Sequence, residues 1–243
     1  MDMSGESPSR EQALTVRAMF DGIAPRYDLM NRVMSAGQDG RWRRIAARSI
    51  APLPPGPLLD IGAGTGDLAL ALRARFPGRA IVGADLSREM MQFAVVKGHG
   101  QLALAQADVL HLPFPDATFA GAATAFTLRN VAGLESGLVE IERVLLPGGR
   151  FACLEITRPR AGAMAGLFNR YFHTLVPRIG GLLARSPGAY RYLPASVDRF
   201  VSGEQLALAL RRAGFADVRM RRFWPGAVTL HVGRRRDTSV VRG

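Results

Sequence analysis

The sequence predicts an α/β fold: a mostly parallel seven-stranded sheet with an antiparallel edge strand, helices on both faces and a helical cap at the N-terminus. Three observations carry this. From Leu58 onward, short apolar runs alternate with longer runs of helical period, the pattern of successive βα units. A glycine-rich turn, Gly62-Ala63-Gly64-Thr65-Gly66, joins the first of these strands to its helix. Two closing strands flank Trp224-Pro225-Gly226, a turn signal that puts antiparallel pairing at the end of the sheet.

Residues 1–9 are polar and read as disordered, leaving one domain over 10–243. Helical periodicity covers about Arg10–Phe20, Tyr27–Met34 and Asp39–Ile50. The breaker run APLPPGP at 51–57 then ends the cap. Leu58–Ile61 reads as a buried strand and Asp67–Phe76 as its helix. Ala80–Ala84 is a strand, and Ser87–Lys97 a helix with Ser87 as N-cap. Strands follow at Gln101–Gln106 and Phe119–Phe126. A helix over Leu134–Leu146 is stopped by Pro147-Gly148-Gly149 before a strand at Arg150–Ile156. Residues 158–199, rich in Pro, Gly and Arg, read as a lid-like insert with an apolar stripe (Met164, Leu167, Phe168, Tyr171, Phe172, Leu175, Val176). Ser202–Ala213 is a helix capped by Ser202, and Val218–Phe223 and Ala227–Val232 are the closing strands.

With 48% hydrophobic and 21% charged residues, the 243-residue chain buries a sizeable core and is neither disordered nor fibrous. A single cysteine, Cys153, excludes an intramolecular disulfide and a cysteine-based zinc cluster. No apolar run is long enough to span a bilayer, and the polar opening residues do not read as a signal peptide, so a cytoplasmic protein is expected. The net charge of +12 is segregated. Residues 1–157 hold 16 basic and 16 acidic side chains; residues 158–243 hold 16 basic and 4 acidic. Such an excess fits a phosphate-bearing partner, an anionic membrane surface, or simply an arginine-rich composition in which Lys97 is the only lysine.

The chemistry concentrates at the glycine turn. Glycines there let backbone approach a ligand where a Cβ would collide. Asp85, closing the next strand just before Leu86, is placed to accept hydrogen bonds from ribose hydroxyls. The turn departs from a dinucleotide fingerprint, because its third glycine comes one residue early and the acids Asp60 and Asp67 flank it. Negative charge there opposes a pyrophosphate and suits a ligand with a sulfonium and an α-amino group, such as S-adenosyl-L-methionine. Asp108, after the third strand, is placed to reach an adenine amino group. There is no nucleophilic triad and no metal-ligand spacing.

These residues resemble the class I S-adenosylmethionine methyltransferases, with their Rossmann-like sheet. A narrower resemblance lies in Tyr27-Asp28-Leu29-Met30-Asn31, Met34-Ser35, Trp42, Leu112-Pro113-Phe114-Pro115-Asp116, Leu128-Arg129-Asn130-Val131, Arg143-Val144-Leu145, Pro147-Gly148-Gly149-Arg150, Leu154-Glu155, Pro177-Arg178-Ile179-Gly180 and Tyr190-Arg191-Tyr192-Leu193. In that order, from about Phe20 to Gly233, they are similar to the ubiquinone/menaquinone-biosynthesis C-methyltransferases. The resemblance implies methyl transfer from S-adenosylmethionine to a ring carbon of a polyprenyl quinol, naphthoquinol or benzoquinol. It also implies cofactor contacts at Thr65, Asp85, Asp108-Val109 and Ala125. Departures from the family pattern fall at Asp39, Ala125, Thr127, Leu146 and Thr157.

With Asp60, Gly62, Gly64, Thr65, Gly66, Asp85, Leu86, Asp108, Val109 and Ala125 around the cofactor, the chemistry falls to residues after the fourth strand. Arg129 is placed to stabilise a phenolate and Asn130 to orient a hydroxyl, while Tyr27 covers the pocket from the cap. His111 and His173 are candidate bases, although each reads more readily as a solvated loop residue. Cys153 reads as core. The basic last third supports an alternative, an RNA methyltransferase. Against it stand the sequence Ala125-Phe126-Thr127-Leu128, where amino methylation uses an Asn/Asp-Pro-Pro-aromatic motif, and the lack of any appended RNA-binding module. An anionic membrane, visited reversibly, is the expected partner besides the quinol.

Overall fold

The computed structural model describes residues 8–158, 166, 170–175, 187–223 and 226–237. Residues 1–7 of the expected disordered segment lie outside the described residues. So do Trp224 and Pro225 and most of the insert, including Met164, Leu167, Phe168, Val176, the Pro177–Gly180 block, Arg178 and Arg185.

The strands are β1 (Leu58–Ile61), β2 (Ile81–Asp85), β3 (Ala103–Gln106), β4 (Phe119–Ala125), β5 (Leu145–Ile156), β6 (Phe215–Arg222) and β7 (Val228–Arg235). They form one sheet in the order β3-β2-β1-β4-β5-β7-β6. The first five strands pair in parallel, and β7 runs antiparallel to both β5 and β6. The reversed strand thus lies one place in from the edge, which β6 forms. Strand order reverses between β1 and β4, and a parallel sheet opens a crevice beyond the carboxyl ends of its strands at such a point.

The helices are α1 (Pro8–Ile23), α2 (Tyr27–Met34), α3 (Asp39–Ser49), α4 (Asp67–Arg75), α5 (Arg88–Lys97), α6 (Leu134–Val144), α7 (Pro187–Arg199) and α8 (Gly203–Arg212). One face of the sheet packs on α3 and α4 through Trp42, Ala46, Leu68 and Leu72. The other packs on α6 and α8 through Leu138, Ile141, Leu206 and Leu210. β4 lies between β1 and β5 and is buried throughout; its small residues, Ala120 to Ala125, bring both helical layers close to the sheet. A third apolar cluster, Ile23, Ala24, Met30 and Met90, seats α1 and α2 on α5 above the carboxyl ends of the strands.

Several boundaries differ from the sequence reading. α1 starts at Pro8, inside the segment expected to be disordered. β5 starts at Leu145, because the chain turns extended there and Leu145 pairs with Phe119. Pro147-Gly148-Gly149 lies within this strand, where the register shifts before Arg150 pairs with Gly121. β4 ends one residue early, because Phe126 has φ +64° and leaves the ladder. α7 follows Pro187 where only a breaker-rich stretch was read. The edge strand β6 carries Arg219, Arg221 and Arg222, charges that discourage edge-to-edge pairing. No described helix is long and apolar enough to cross a membrane.

Candidate functional site

A cleft of about 790 Å³ opens at the carboxyl ends of the strands. Gly62, Gly64, Asp85, Leu86, Asp108 and Val109 line it, and Val16 and Phe20 of α1 line its cap side. Asp85 organises the floor. Its Oδ2 accepts the Gly64 amide at 2.7 Å and its Oδ1 the Ser87 amide at 2.8 Å. Burial pushes the Asp85 carboxyl up, and those two amides pull against it. Gly64 has φ +53°, and a Cβ built there would meet nothing nearer than Tyr27 Cε1 at 4.0 Å. The open space above this residue belongs to the cleft, so glycine leaves room for a ligand. Asp108 Oδ1 accepts the Leu110 amide at 2.9 Å, which fixes the carboxylate beside the cleft.

Four of the expected cofactor residues, Asp60, Thr65, Gly66 and Ala125, are not among those lining the cleft. The Thr65 hydroxyl donates to Asp28 Oδ1 at 2.6 Å, across to α2. Lys97 Nζ reaches Asp28 at 2.5 Å, Asp67 at 2.7 Å and Thr65 at 3.0 Å. This cluster fastens the cap to the back of the glycine turn. Gly66 has φ +86°, and a Cβ there would come within 2.9 Å of Ala94 Cβ, so it serves the approach of α4 to α5. Ala125 ends β4, nearly buried. Asp60 is buried in β1 beneath the turn, and neither carboxylate oxygen has a hydrogen-bond partner among the described residues. Desolvation raises its pKa to about 7, and the charge of Arg43 only partly offsets this.

A second, smaller cavity abuts the cleft. Phe20, Tyr27 and Asn130 line both. Its other walls include Met19, Ile23, Met30 and Met34 from the cap, Arg129, and Tyr192 of α7. Arg129 is not a free cation. Its Nη1 donates to Glu155 Oε1 at 2.7 Å and to the Phe126 carbonyl at 2.5 Å, and the Arg129 and Glu155 side chains are 7% and 0% exposed. Arg129 Nε and Asn130 Oδ1 remain buried and unpartnered. The second cavity and the pairing role of Glu155 were missed in the sequence; an acid inside the apolar run Phe151–Ile156 was the available signal, since buried acids need partners. Of the candidate bases, His111 is exposed and lines neither cavity, and the His173 side chain lies outside the described residues. Cys153 is buried in the core, where burial raises its thiol well above the ordinary range.

The departures from the family pattern have local accounts. Asp39 is buried in an ion pair with Arg43 at 2.7 Å and accepts the Ser35 hydroxyl at 3.1 Å. Thr127 packs its side chain over Gly62, where a Cβ would collide with it. Thr157 donates to the Ala227 carbonyl at 3.4 Å, joining β5 to the start of β7, and Leu146 packs on the core.

The ubiE/COQ5 methyltransferase family matches residues 7–235. A protein of Thermus thermophilus named demethylmenaquinone methyltransferase is 44% identical over 89% of this chain and 100% of its own length. The ubiquinone/menaquinone biosynthesis C-methyltransferase UbiE of Syntrophotalea carbinolica is 43% identical over 89% of this chain and 92% of its own length. Among solved structures, the [4+2]-cyclase SpnF superposes with a TM-score of 0.67 at 18% identity, covering 91% of this chain and 95% of that one. A Thermotoga maritima protein described as an S-adenosylmethionine-dependent methyltransferase gives 0.64 at 19% identity, covering 90% and 99%. At these identities the two structures share the fold.

Asp60 generates a stability prediction. Its carboxyl is raised from 3.8 to about 7 on folding, so the folded state is penalised most above pH 7 and the penalty fades as pH falls toward 4. Asp60→Asn removes that penalty. Denaturant unfolding is expected to show the variant gaining on the parent by about 2 kcal/mol between pH 5.5 and pH 8.5. A gap independent of pH over that range would mean that Asp60 stays ionised.

Proposed function

The chain belongs to the ubiE/COQ5 methyltransferase family, and from that premise we propose that it uses S-adenosyl-L-methionine to methylate a ring carbon of a polyprenyl quinol, a demethylmenaquinol or the equivalent benzoquinol. One observation carries the site assignment. A cleft floored by a glycine turn and the acids Asp85 and Asp108 meets a second cavity edged by Arg129 and Asn130, and Phe20, Tyr27 and Asn130 form the shared wall. A nucleoside-bearing cofactor fits the first space and an aromatic ring the second.

When bound, S-adenosylmethionine supplies an electrophilic methyl group on a sulfonium. The residues present fit it. Asp85 and Asp108 offer carboxylate acceptors to ribose and adenine, Leu86 and Val109 flank the base, and Gly62 and Gly64 leave room for the chain between. A sulfonium and an ammonium at the turn would favour the ionised form of Asp60, whose buried carboxyl is otherwise raised to about 7, while Asp67 is already paired with Lys97. Thr65, Gly66 and Ala125 act one layer back, holding the turn and the end of β4. In the second cavity Arg129 hydrogen-bonds a phenol oxygen through Nε and favours loss of its proton; Glu155 keeps the guanidinium in place. Asn130 accepts from a quinol hydroxyl through Oδ1. Tyr27 and the methionines exclude water and hold the ring against the cleft.

The RNA alternative draws on the basic last third, where several arginines are held in ion pairs: Arg222 with Glu204, Arg234 with Asp217 and Asp237, Arg235 with Glu142. An apolar quinol favours visits to a membrane instead. α2 supports this reading: its inner face lines the second cavity, while Leu29 and Val33 stand exposed on its outer face beside the exposed Arg26 and Arg32. Of the lid-like insert read over 158–199, the described Arg170 is exposed and the Tyr171 hydroxyl donates to the Met34 carbonyl at 2.9 Å, at the end of α2.

The function is tested by incubating purified protein and labelled cofactor with a short-chain demethylmenaquinol, the matching benzoquinol, or total RNA. Label is expected in the quinol, and label in RNA alone would overturn the reading. Asp85→Ala is expected to weaken cofactor binding by about 2–4 kcal/mol in calorimetry, through lost ribose contacts and a loosened turn; an unchanged Kd would remove Asp85 from the cofactor site. Sedimentation with anionic vesicles is expected to fall with added salt and in a Leu29→Glu/Val33→Glu variant, whereas binding equally to neutral lipid would contradict the charge-assisted membrane visit.

A further inference from the structure

The second cavity holds a polar feature beyond Arg129 and Asn130. Asn31 lies on its wall, one helical turn after Tyr27 in α2, so that both side chains share a helix face. Asn31 Nδ2 is buried with no acceptor. Three buried polar atoms without a partner among the described residues therefore belong to side chains that line one cavity: Asn31 Nδ2 and Arg129 Nε, both donors, and Asn130 Oδ1, an acceptor. Leaving one such group unsatisfied normally costs about 1–3 kcal/mol. Three around one space mark it as shaped for a ligand that completes them. The rest of the wall is apolar at Met19, Ile23, Met30, Met34 and Leu193 and aromatic at Phe20, Tyr27 and Tyr192, suited to the face of an aromatic ring.

The donors come from two different elements. Arg129 and Asn130 belong to the one-turn 3-10 helix Leu128–Asn130 after β4, and Asn31 to the cap helix α2. A ring held between them presents one edge to each. A hydroquinone carries oxygens on two opposite edges; a monophenol carries one. Building on the quinol reading above, we propose that Asn31 is a specificity-determining residue whose side-chain amide donates to the ring oxygen para to the one held by Arg129 and Asn130. Asn31 thereby makes the site prefer a 1,4-dihydroxy aromatic ring and fixes which ring carbon faces the cleft.

The test compares two substrates with the same short tail: a demethylmenaquinol, and a naphthol that keeps the hydroxyl beside the reacting carbon and lacks the para one. Wild-type enzyme is expected to favour the quinol. Asn31→Leu keeps the branched heavy-atom outline, suits a helix at least as well, and removes the donor; Asn31→Asp keeps the shape and replaces the donor with an acceptor. Both are expected to lower kcat/KM for the quinol by about 10- to 100-fold, with the ratio of quinol to naphthol falling by at least 10-fold. Calorimetric Kd for S-adenosylmethionine, measured on the same samples, is expected to stay within about 2-fold, and the thermal midpoint of the Asn31→Leu variant is expected not to fall, because a buried donor without an acceptor is removed. Equal losses on both substrates, or no loss on the quinol, would overturn the role of Asn31. Absence of quinol turnover by the wild-type enzyme would instead overturn the reading on which it rests.

Discussion

The two hydrogen bonds that Asp85 accepts, from the Gly64 and Ser87 amides, are the constraint on which the site depends. One carboxylate at the end of β2 ties the turn after β1 to the turn that opens α5, fixing the floor of the cleft. Ser87 continues the connection. Its hydroxyl accepts the Met90 amide as the N-cap of α5 and donates to Asp21 Oδ1 of α1 at 2.5 Å. Asp28 and Lys97 make a parallel connection from α2 to the back of the same turn. The cap is thus fastened by polar contacts at two points and by the Ile23–Met30–Met90 cluster between them. Loosening the turn after β1 therefore moves the cap as well as the cleft, and with it the wall shared by the two cavities.

The second cavity follows a different economy of charge. Burying Arg129 against Glu155 removes two ions from water, which is costly unless each is paired and hydrogen-bonded. Glu155 also accepts the Arg129 amide at 3.3 Å and the Ile156 amide at 2.8 Å, and the Phe126 carbonyl takes a share of the guanidinium. The pair is nearly neutral seen from a distance. What it offers the cavity is a fixed N–H of a charged group, directional and pre-set, rather than a diffuse positive field. The left-handed backbone at Phe126 turns its carbonyl to the guanidinium and starts the one-turn helix that presents Arg129 and Asn130.

Much of this was legible in the sequence because it is local. The limits of β1 and α2, the caps Ser87 and Ser202, and the placement of Gly62, Gly64, Asp85 and Asp108 on one cleft follow from periodicity, cap chemistry and turn glycines acting over a few residues. What was not legible depends on contacts distant in sequence. Pro147-Gly148-Gly149 reads locally as a helix stop, yet pairing with β4 draws the chain into β5 at Leu145. Thr65 reads as a ligand contact, yet its hydroxyl is taken by Asp28, 37 residues earlier. Glu155 carried only the signal of an acid within an apolar run and Asn31 none, because each matters through the cavity that α1, α2, α7 and the end of β4 enclose, Glu155 by way of Arg129. The α/β framework itself hosts many chemistries, so the functional content lies in that enclosure.

The central claim is that cofactor and quinol meet across the wall formed by Phe20, Tyr27 and Asn130. A crystal structure of the protein with S-adenosylhomocysteine and a short-chain quinol tests it most directly. The account predicts the nucleoside against Asp85 and Asp108, the sulfur at the shared wall, and the quinol ring among Tyr27, Met30, Arg129 and Asn130. A quinol ring bound elsewhere, or a sulfur turned away from that wall, would contradict it.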